Sequence, residues 1–396
     1  MLPVSQTIAT RAASFTLTPE ERTRYSRHIL LPEVGLEGQR KLKAARILVI
    51  GAGGLGAPVS FYLAAAGVGT LGLVEFDNVD VTNLQRQILY TTVDVGRPKL
   101  TAATERLRAL SPGLAIEGFP EALTPDNAGR IIDSFDIIVD GTDNFMTRYL
   151  VNDTCVRLEK PNVYGSIFRF EGQASVFYAP YGPCYRCLFP APPPPDTVPN
   201  CAEGGVLGVL PGQIGMIQAT EAIKLVLGLG TSLLGRLVMF DALSMRFDQY
   251  TMDRDANCPA CGDHRDARAL ALPTMAACEI SPREPESDAR ADELISTDDY
   301  KALLDRSGPH VLLDVRSAGE VAVAALPGHH HIPLDALLVR ISELDRNSLL
   351  IVYCKSGARS LRAVRQLREL GFVDTRSLQG GILAWIDRFA PELPRY

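Results

Sequence analysis

The sequence is poor in the features that mark membrane proteins and nucleic-acid-binding proteins. Its longest weakly polar stretch, 61–74, is broken by glycines and is too short to span a bilayer, so we expect no membrane anchor. No block of basic residues stands out and the formal net charge is -6, which argues against nucleic acid as the main partner. The N-terminus also lacks the charged start and apolar core of a secretion signal. We therefore expect a cytoplasmic protein.

Cysteine is scarce and the Walker A sequence is missing. Only eight cysteines occur in 396 residues, too few for a secreted disulfide scaffold, and four of them form two Cys-x-x-Cys pairs. Such pairs favour metal binding or thiol chemistry. Because no glycine-rich sequence ends in Lys-Ser or Lys-Thr, any ATP must be held by a different kind of loop.

The first part of the chain alternates between strand and helix patterns. An apolar run at 46–50 is followed by a glycine turn and by an Ala-rich helical pattern that ends near Gly67. Further strand patterns occupy 70–75 and 136–140. This alternation predicts an α/β fold with a Rossmann-like, doubly wound parallel sheet, whose ligands lie beyond the carboxyl ends of its strands.

A polar, acidic, proline-dotted stretch separates this part from a smaller α/β pattern. Beyond it come apolar strands at 311–315 and 349–353 and a helical stripe formed by Leu361, Val364, Leu367 and Leu370. The length also favours two domains. We assign the first domain to residues 1–265, a linker to 266–292 and the second domain to 293–396.

A glycine-rich turn follows the first strand. Such a turn brings phosphate close to backbone N–H groups at a helix N-terminus, where the helix dipole favours anions. Glu75, at the end of the next strand, is placed to accept hydrogen bonds from ribose hydroxyls. The pattern suits an NAD enzyme as well as an ATP enzyme and leaves both open. The glycines are Gly51, Gly53, Gly54 and Gly56.

Four more motifs accompany the glycine turn in a fixed order. They are 24–27 (RYSR), 83–87 (NLQRQ), 96–99 (GRPK) and 140–144 (DGTDN). Together these residues closely resemble the adenylating domain of the MoeB/ThiF family, which is related to ubiquitin-activating enzymes. The resemblance covers roughly residues 15–265.

The resemblance implies ATP and Mg²⁺ as cofactors. Arg86 and Lys99 would neutralise the triphosphate, and Asp143 would hold Mg²⁺, which stabilises charge on the departing pyrophosphate. Arg27 matches an arginine that reaches into the partner subunit's site, which implies a homodimer. Taken singly, each charged residue would be a solvated surface group. Besides the glycine turn and Glu75, the implied nucleotide contacts are Asn83, Arg86, Lys99, Asp143 and Asn144.

The two Cys-x-x-Cys pairs have the spacing of a tetrahedral zinc site. Four thiolate ligands would pin two distant segments together and contribute folding energy, because they leave no open position for catalysis. The alternative is a pair of redox dithiols. The predicted Zn²⁺ ligands are Cys184, Cys187, Cys258 and Cys261.

Cys201 follows a proline-rich stretch, 190–199, that is expected to be a surface loop or crossing segment. In the resembled family a cysteine at this position lies on a mobile segment that crosses the active site. It is proposed there to form a transient covalent link during sulfur transfer, a role that suits a nucleophile that is also a leaving group. The alternative is an inert, partly buried thiol.

A second cysteine motif directly follows an apolar strand and precedes an amphipathic helix. A thiolate at Cys354 would lie among backbone N–H groups and beside Arg359, which stabilises an attached anionic persulfide. With 314–316 (DVR), 332–334 (IPL) and 379–385 (QGGILAW), the motif resembles the rhodanese sulfurtransferase family over roughly residues 293–396. An inactive module that only binds partners is the alternative. The predicted persulfide loop is Cys354, Lys355, Ser356, Gly357, Ala358 and Arg359.

Joined in one chain, the two resemblances imply a reaction sequence. ATP would convert the C-terminal glycine carboxylate of a ubiquitin-like sulfur-carrier protein, ending in Gly-Gly, into an acyl-adenylate. Persulfide sulfur on Cys354 would then displace AMP, and a second thiol such as Cys201 would release the thiocarboxylate. Placing both domains in one chain raises the effective concentration of the sulfur donor. The implied catalytic residues are Cys354, Cys201, Arg86, Asp143 and Arg27.

The sulfur source and the pathway stay open at this point. A cysteine desulfurase or thiosulfate would serve as the sulfur donor, and carriers of molybdopterin or thiamine synthesis are candidate substrates. One alternative function is an NAD-dependent oxidoreductase with an accessory rhodanese domain, which would be indifferent to Arg86, Lys99 and Asp143. The other is a non-enzymatic scaffold that binds carrier proteins without turnover.

Overall fold

The computed structural model describes residues 2–193, 204–263 and 289–396. The chain divides into two compact units, Met1–Cys278 and Glu279–Tyr396, here called the large unit and the small unit. Each unit has its own sheet and its own hydrophobic core. Most of the predicted linker, 266–292, lies outside the described residues. Within the described part of the chain, every helix is too short or too polar to cross a membrane.

The large unit is built on an eight-stranded sheet with the order β3-β2-β1-β4-β5-β6-β7-β8. The first five strands in this order are parallel, and the last three run antiparallel to their neighbours. The order reverses between β1 and β4, so the carboxyl ends of these strands flank a crevice of the kind that binds ligands in doubly wound sheets. The strands are β1 (Arg46–Ile50), β2 (Thr70–Val74), β3 (Ala115–Phe119), β4 (Ile137–Asp140), β5 (Asn162–Phe168), β6 (Glu171–Phe177), β7 (Arg236–Asp241) and β8 (Arg246–Thr251).

Helices cover this sheet and connect its parallel strands. The longest of them, α10, packs against α5 and against β5 and β6. The helices are α1 (Pro3–Ala12), α2 (Pro19–Arg24), α3 (Ser26–Ile29), α4 (Gly35–Ala44), α5 (Gly56–Ala66), α6 (Lys99–Leu110), α7 (Pro125–Asp133), α8 (Phe145–Arg157), α9 (Tyr185–Leu188) and α10 (Leu210–Leu227), with 3-10 turns at Val81–Asn83 and Thr92–Asp94.

Strand β1 shows why a continuous apolar run becomes a central strand. Ile47 and Val49 point into one hydrophobic core, and Leu48 and Ile50 point into the core on the opposite face. A parallel strand that is covered by helices on both faces has no solvated side, so it has no place for alternating polar residues. The predicted doubly wound α/β fold is confirmed.

The start and the end of α5 are set by glycines. A Cβ on Gly56 would lie 1.8 Å from the carbonyl oxygen of Gly51, so only glycine permits the helix to begin so close to the strand. Gly67 ends the helix with a φ of 85°, the left-handed conformation in which glycine is favoured. The predicted strand, glycine turn and helix are therefore confirmed.

The small unit contains a five-stranded parallel sheet with the order β11-β10-β12-β13-β9. Its strands are β9 (Leu294–Ile295), β10 (Val311–Asp314), β11 (His330–His331), β12 (Leu350–Tyr353) and β13 (Thr375–Leu378). Its helices are α11 (Thr297–Asp305), α12 (Ala318–Val323), α13 (Ala358–Glu369) and α14 (Gly381–Phe389).

Helix α13 confirms most of the predicted apolar stripe. Leu361, Val364 and Leu367 are buried, and Val364 and Leu367 belong to the core that also contains residues of β12. The prediction for Leu370 was wrong: it follows the last residue of the helix and is 41% exposed. The reason is that the chain turns away at Gly371, which has a φ of 92°.

Candidate functional site

The glycine turn lies at the carboxyl end of β1. Gly51 adopts a φ of 85°, and its N–H donates to the carbonyl of Val74 at 2.9 Å. The next residue, Ala52, is held from two sides. Its N–H donates to Glu75 Oε2 at 3.0 Å, and its carbonyl accepts a hydrogen bond from the Tyr90 hydroxyl at 2.9 Å. These contacts fix the path of the turn.

Gly53 and Gly54 differ in the space around them. Among the described residues, a Cβ on Gly53 would meet only Gln87, whose Nε2 would lie 3.5 Å away. A Cβ on Gly54 would lie 3.2 Å from Pro211 and 3.8 Å from Arg86 Cγ. The structure therefore brings the Arg86 side chain beside the glycine turn and leaves open space at Gly53.

Glu75 already uses its carboxylate within the protein. The residue is 6% exposed, and Oε1 accepts the backbone N–H groups of Phe76 at 2.9 Å and Asp77 at 3.0 Å, while Oε2 accepts that of Ala52. Three such bonds occupy most of the acceptor capacity of one carboxylate. Glu75 thus shapes the glycine turn, and its contact with ribose stays a prediction.

Lys99 and Asn83 lie in the segment that follows β2. Lys99 is buried, and its Nζ contacts Asp77 Oδ2 at 3.1 Å. Because Asp77 comes shortly after the carboxyl end of β2, this ion pair holds Lys99 at the same edge of the sheet as the glycine turn. Asn83 accepts the N–H of Asp80 at 3.1 Å and closes a local turn.

A second turn follows β4 and touches the first one. A Cβ on Gly141 would lie 3.1 Å from the carbonyl oxygen of Gly51, so the two turns approach each other through backbone alone. Asp140 is buried and accepts the N–H and the hydroxyl of Thr142 at 3.0 and 2.6 Å. Burial raises the pKa of the Asp140 carboxyl above its ordinary value.

Asp143 and Asn144 come at the end of this second turn. Asp143 is exposed, as a residue that meets an external metal or nucleotide has to be. Asn144 caps α8, because its Oδ1 accepts the N–H of Thr147 at 2.8 Å. Asp143 therefore lies two residues after Gly141, the glycine that touches the first turn, whereas the Asn144 side chain serves the helix.

Arg148 is a buried residue of this crevice that the sequence analysis missed. Its guanidinium donates to the carbonyl of Thr142 at 3.0 Å and to Ser166 Oγ at 2.9 Å, and it lies over the rings of Phe145 and Tyr164. Arg148 thus holds the second turn against β5. An arginine among the apolar residues of a helical pattern was the signal that would have found it.

Two predicted residues are not joined to the crevice by the described contacts. Arg27 is exposed on α3, and its predicted role concerns a second copy of the chain. Cys201 lies outside the described residues.

The four cysteines of the two Cys-x-x-Cys pairs form one cluster. Cys184 and Cys258 have their sulfurs 3.6 Å apart, Cys187 and Cys261 have theirs 3.4 Å apart, and all four sulfurs lie within 4.8 Å of one another. Tetrahedral zinc with bonds of about 2.3 Å places its sulfur ligands about 3.8 Å apart. The N–H of Asp255 also points at Cys187 Sγ at 3.5 Å. The cluster can therefore hold a metal ion.

The residues between the first two cysteines attach this cluster to α8. The N–H of Tyr185 donates to Asn152 Oδ1 at 2.8 Å. Arg186 makes two bonds to the Asp153 carboxylate, at 2.8 and 2.7 Å, and stacks over the ring of Tyr149. Because α8 begins directly after the turn that bears Asp143, the cluster stabilises the helix that supports the crevice.

In the small unit, Cys354 lies at the carboxyl end of β12. It is 1% exposed, and its sulfur accepts the N–H of Gly357 at 3.2 Å. Gly357 has a φ of 103° and caps α13, so the loop folds back over the sulfur. The predicted loop thus surrounds Cys354 at a helix N-terminus.

Arg359 is engaged by a carboxylate that the sequence analysis missed. Its guanidinium binds both oxygens of Glu320, at 2.8 and 2.6 Å. Although burial opposes ionisation, the bonds from Arg359 and from the N–H of Ser317 lower the pKa of Glu320. The signal was Ser317 three residues before Glu320, which is the pattern of a helix-capping box.

Comparison with known proteins assigns a family to each unit. The profile of the ThiF family matches residues 25–260, and that of the rhodanese-like domain matches residues 296–388. The probable adenylyltransferase/sulfurtransferase MoeZ of Mycobacterium tuberculosis is 43% identical over 386 residues, which are 96% of each chain. The sulfur carrier protein adenylyltransferase of Thermus thermophilus is 54% identical over 258 residues, covering 64% of this chain and 95% of its own.

A solved structure agrees with this assignment at the level of fold. The crystal structure of E. coli MccB with MccA-N7isoASN is similar with a TM-score of 0.54 and 22% identity, covering 61% of this chain and 75% of the other. The predicted enzyme class is confirmed by the two family matches and by the MoeZ relative. The chain belongs to the ThiF family and joins its adenylating domain to a rhodanese-like domain in one adenylyltransferase/sulfurtransferase.

Proposed function

We propose that the large unit converts the C-terminal glycine carboxylate of a ubiquitin-like sulfur-carrier protein into an acyl-adenylate. The observation that carries this proposal is the crevice between β1 and β4, where the glycine turn touches the turn that bears Asp143 and Arg86 runs beside it. Phosphates bound to the N–H groups of the glycine turn would meet a guanidinium and a carboxylate in one place. The name of the Thermus relative supports a sulfur-carrier protein as substrate.

The reaction requires that negative charge be neutralised as pyrophosphate leaves. A carboxylate oxygen of the carrier attacks the α-phosphorus of ATP, and the bond from that phosphorus to the bridging oxygen of pyrophosphate breaks. Arg86 and Lys99 supply positive charge, and Asn83 contacts the phosphates. Asp143 would hold Mg²⁺, which neutralises phosphate charge when it is bound. Arg27 of a second copy completes the site, so the active form is a homodimer.

The small unit supplies the sulfur. A donor such as a cysteine desulfurase or thiosulfate leaves a persulfide on Cys354, and its terminal sulfur attacks the acyl carbon while AMP departs. The product is an acyl disulfide between the carrier and Cys354. The thiolate of Cys201 then attacks Cys354 Sγ, releasing the carrier thiocarboxylate and leaving a Cys201–Cys354 disulfide, which a cellular thiol reduces.

The cysteine cluster of the large unit has a structural role in this proposal. Its sulfur spacing fits Zn²⁺ with four protein ligands, which leaves no open position for a substrate. The ion would close the two loops that carry Cys184 and Cys258, and through Arg186 it would hold α8 in place. Metal binding here contributes to stability and leaves the chemistry to the crevice.

Carrier-dependent exchange of labelled pyrophosphate into ATP tests the adenylation step. The purified chain is assayed with Mg²⁺ and a panel of small ubiquitin-like proteins that end in Gly-Gly. We expect exchange with one carrier, its loss in Asp143→Asn, and normal exchange in Asp126→Asn, which changes an exposed carboxylate on α7. Exchange that survives Asp143→Asn, or binding of every carrier without exchange, would contradict the proposal.

A further inference from the structure

Two buried serine hydroxyls lie behind the sulfur of Cys354. Ser360 Oγ is 3.4 Å from Cys354 Sγ, and Ser377 Oγ is 2.9 Å from Ser360 Oγ. Ser360 belongs to the first turn of α13 and Ser377 to β13, and both residues are 0% exposed. A line of hydroxyl groups therefore runs from the interior of the small unit to the reactive sulfur.

The hydroxyl protons on this line have few acceptors. Ser360 has one proton and two acceptors within reach, Cys354 Sγ and the carbonyl oxygen of Gly357 at 3.0 Å. Ser377 donates to Ser360 Oγ, so Ser360 directs its own proton to one of those two. Hydrogen bonds to a charged acceptor are stronger than those to a neutral one. The proton of Ser360 therefore turns to the sulfur when Cys354 is ionised.

A buried thiolate depends on such donors. Cys354 is 1% exposed, so water contributes little to its solvation, and the described hydrogen bonds to its sulfur come from the N–H of Gly357 and from Ser360. A buried charge without hydrogen-bond partners is costly. Removing the Ser360 hydroxyl would take away one of these two donors.

Charged groups also surround the loop, and they do not depend on the serines. Glu320 on α12 pairs with Arg359 on α13, and Asp314 at the end of β10 pairs with Arg316. Lys355, in the loop itself, lies over the ring of Tyr396 at 5.0 Å. Substitution of either serine keeps all these charges, so any change in the ionisation of Cys354 would report on the hydroxyl groups.

We propose that Ser360 is a catalytic residue of sulfur transfer and that Ser377 is a positioning residue that keeps the Ser360 proton aimed at the sulfur. The proposal rests on the function of Cys354 as the persulfide carrier. In the loading step the Cys354 thiolate attacks the terminal sulfur of a donor R–S–SH. The Sγ–S bond forms, the S–S bond of the donor breaks, and the electron pair leaves on RS⁻, which takes up a proton. Ser360 donates a hydrogen bond to the attacking sulfur and so stabilises its negative charge.

The pH profile of Cys354 alkylation tests this proposal in the full chain. Iodoacetamide is reacted across a pH series, and the peptide that contains Cys354 is quantified by mass spectrometry. Ser360→Ala should move the midpoint of the profile upward, because one hydrogen bond to the charged sulfur is lost. Ser377→Ala should give a smaller shift in the same direction. Ser360→Thr keeps the hydroxyl and should restore the wild-type midpoint.

Thr375→Val provides the matched control. Thr375 is also a buried hydroxyl residue of β13, but it donates to the carbonyl of Phe372 at 3.0 Å rather than toward the sulfur. The variant should lose stability without moving the alkylation midpoint. If Ser360→Ala behaves in the same way, Ser360 is only structural and the proposal is overturned. An unchanged midpoint in Ser377→Ala would overturn its positioning role.

A second measurement separates this proposal from the proposed adenylation. Alkylation needs no ATP, carrier or sulfur donor, so it can succeed even if no carrier supports pyrophosphate exchange. The role of Ser360 can also fail while adenylation holds. The wild-type chain would then exchange pyrophosphate, and Ser360→Ala would keep the wild-type alkylation midpoint. With thiosulfate as the probe at neutral pH, we expect Ser360→Ala to load Cys354 with persulfide about threefold more slowly, because the attacking sulfur loses a hydrogen bond while its nucleophilicity rises in part compensation. An unchanged loading rate would count against a catalytic role.

Discussion

Two glycines of the same turn lead to opposite expectations for the same substitution. Gly53→Ala should leave the fold intact and weaken ATP binding, whereas Gly56→Ala should strongly destabilise the large unit. The difference lies in what the added methyl group meets. At position 53 it would lie 3.5 Å from Gln87 Nε2, and at position 56 it would lie 1.8 Å from the carbonyl oxygen of Gly51.

The magnitudes follow from these distances. A Cβ does not approach closer than 3.0 Å, so Gly56→Ala forces backbone at the junction of β1 and α5 to move by more than 1 Å. Overpacking that displaces core backbone costs about 3 kcal/mol or more. Gly53 has no positive φ and tolerates alanine, but the methyl group takes space that a phosphate needs. We expect a tenfold loss of ATP affinity, or about 1.4 kcal/mol.

Urea unfolding followed by circular dichroism measures the first effect, and isothermal titration with ATP measures the second. Both measurements are made on both variants, because each variant is the control for the other. Wild-type stability in Gly56→Ala would refute the assignment of the close contact. Wild-type ATP affinity in a folded Gly53→Ala would refute the proposal that phosphate lies against this turn.

Three further substitutions test other parts of the molecule. Cys258→Ser should abolish the binding of about one zinc per chain, measured by metal analysis, whereas Cys155→Ser, outside the cluster, should retain it. Glu320→Gln should cost about 2 kcal/mol at neutral pH, since Arg359 loses a charged acceptor. The pKa of Glu320 is lowered in the folded state, so the stabilisation by its ion pair is fully present above the ordinary pKa range of a carboxyl group. It is lost as the pH falls through the pKa of Glu320 in the folded protein. Urea unfolding at a series of pH values measures this loss. Arg148→Ala should cost about 3 kcal/mol in the same assay, because the carbonyl of Thr142 and the Ser166 hydroxyl lose a charged donor.

Short sequence patterns predicted the features of the fold that depend on a few neighbouring residues. The apolar run of β1 predicts a strand buried on both faces, and Gly56 and Gly67 mark the limits of the helix that follows. The two Cys-x-x-Cys pairs, 74 residues apart, predict a cluster because paired cysteine spacing is specific to tetrahedral metal sites. The strand and glycine signals, and each cysteine pair taken by itself, lie within a few residues, and folding only has to bring the two pairs together.

Several of the contacts that the sequence analysis missed join distant segments, and others are local. Ser377 and Cys354 come from different elements, and only the parallel pairing of β12 with β13 brings Ser377 near the loop. Glu75 was predicted to accept hydrogen bonds from ribose hydroxyls, but three backbone N–H groups of the protein donate to its carboxylate. Leu370 continued an apolar stripe in the sequence, yet the helix ended first. In each case the surroundings of the residue are decided by the fold and cannot be read from the spacing of residues in the sequence.

The two units have similar backbone at the places where we propose that different anions bind. In each, a buried parallel strand ends, a turn with a glycine of positive φ follows, and a helix begins within a few residues, at Gly56 or at Ala358. The first residue after the strand differs. Gly51 has no side chain. In the proposed function, a phosphate from outside binds N–H groups of this turn other than those of Gly51 and Ala52, which already donate to Val74 and Glu75. Cys354 fills the corresponding position with a thiol, so the N–H of Gly357 meets a sulfur that belongs to the protein. In the proposed function, the residue type at this one position therefore decides whether the turn receives a nucleotide or carries a persulfide.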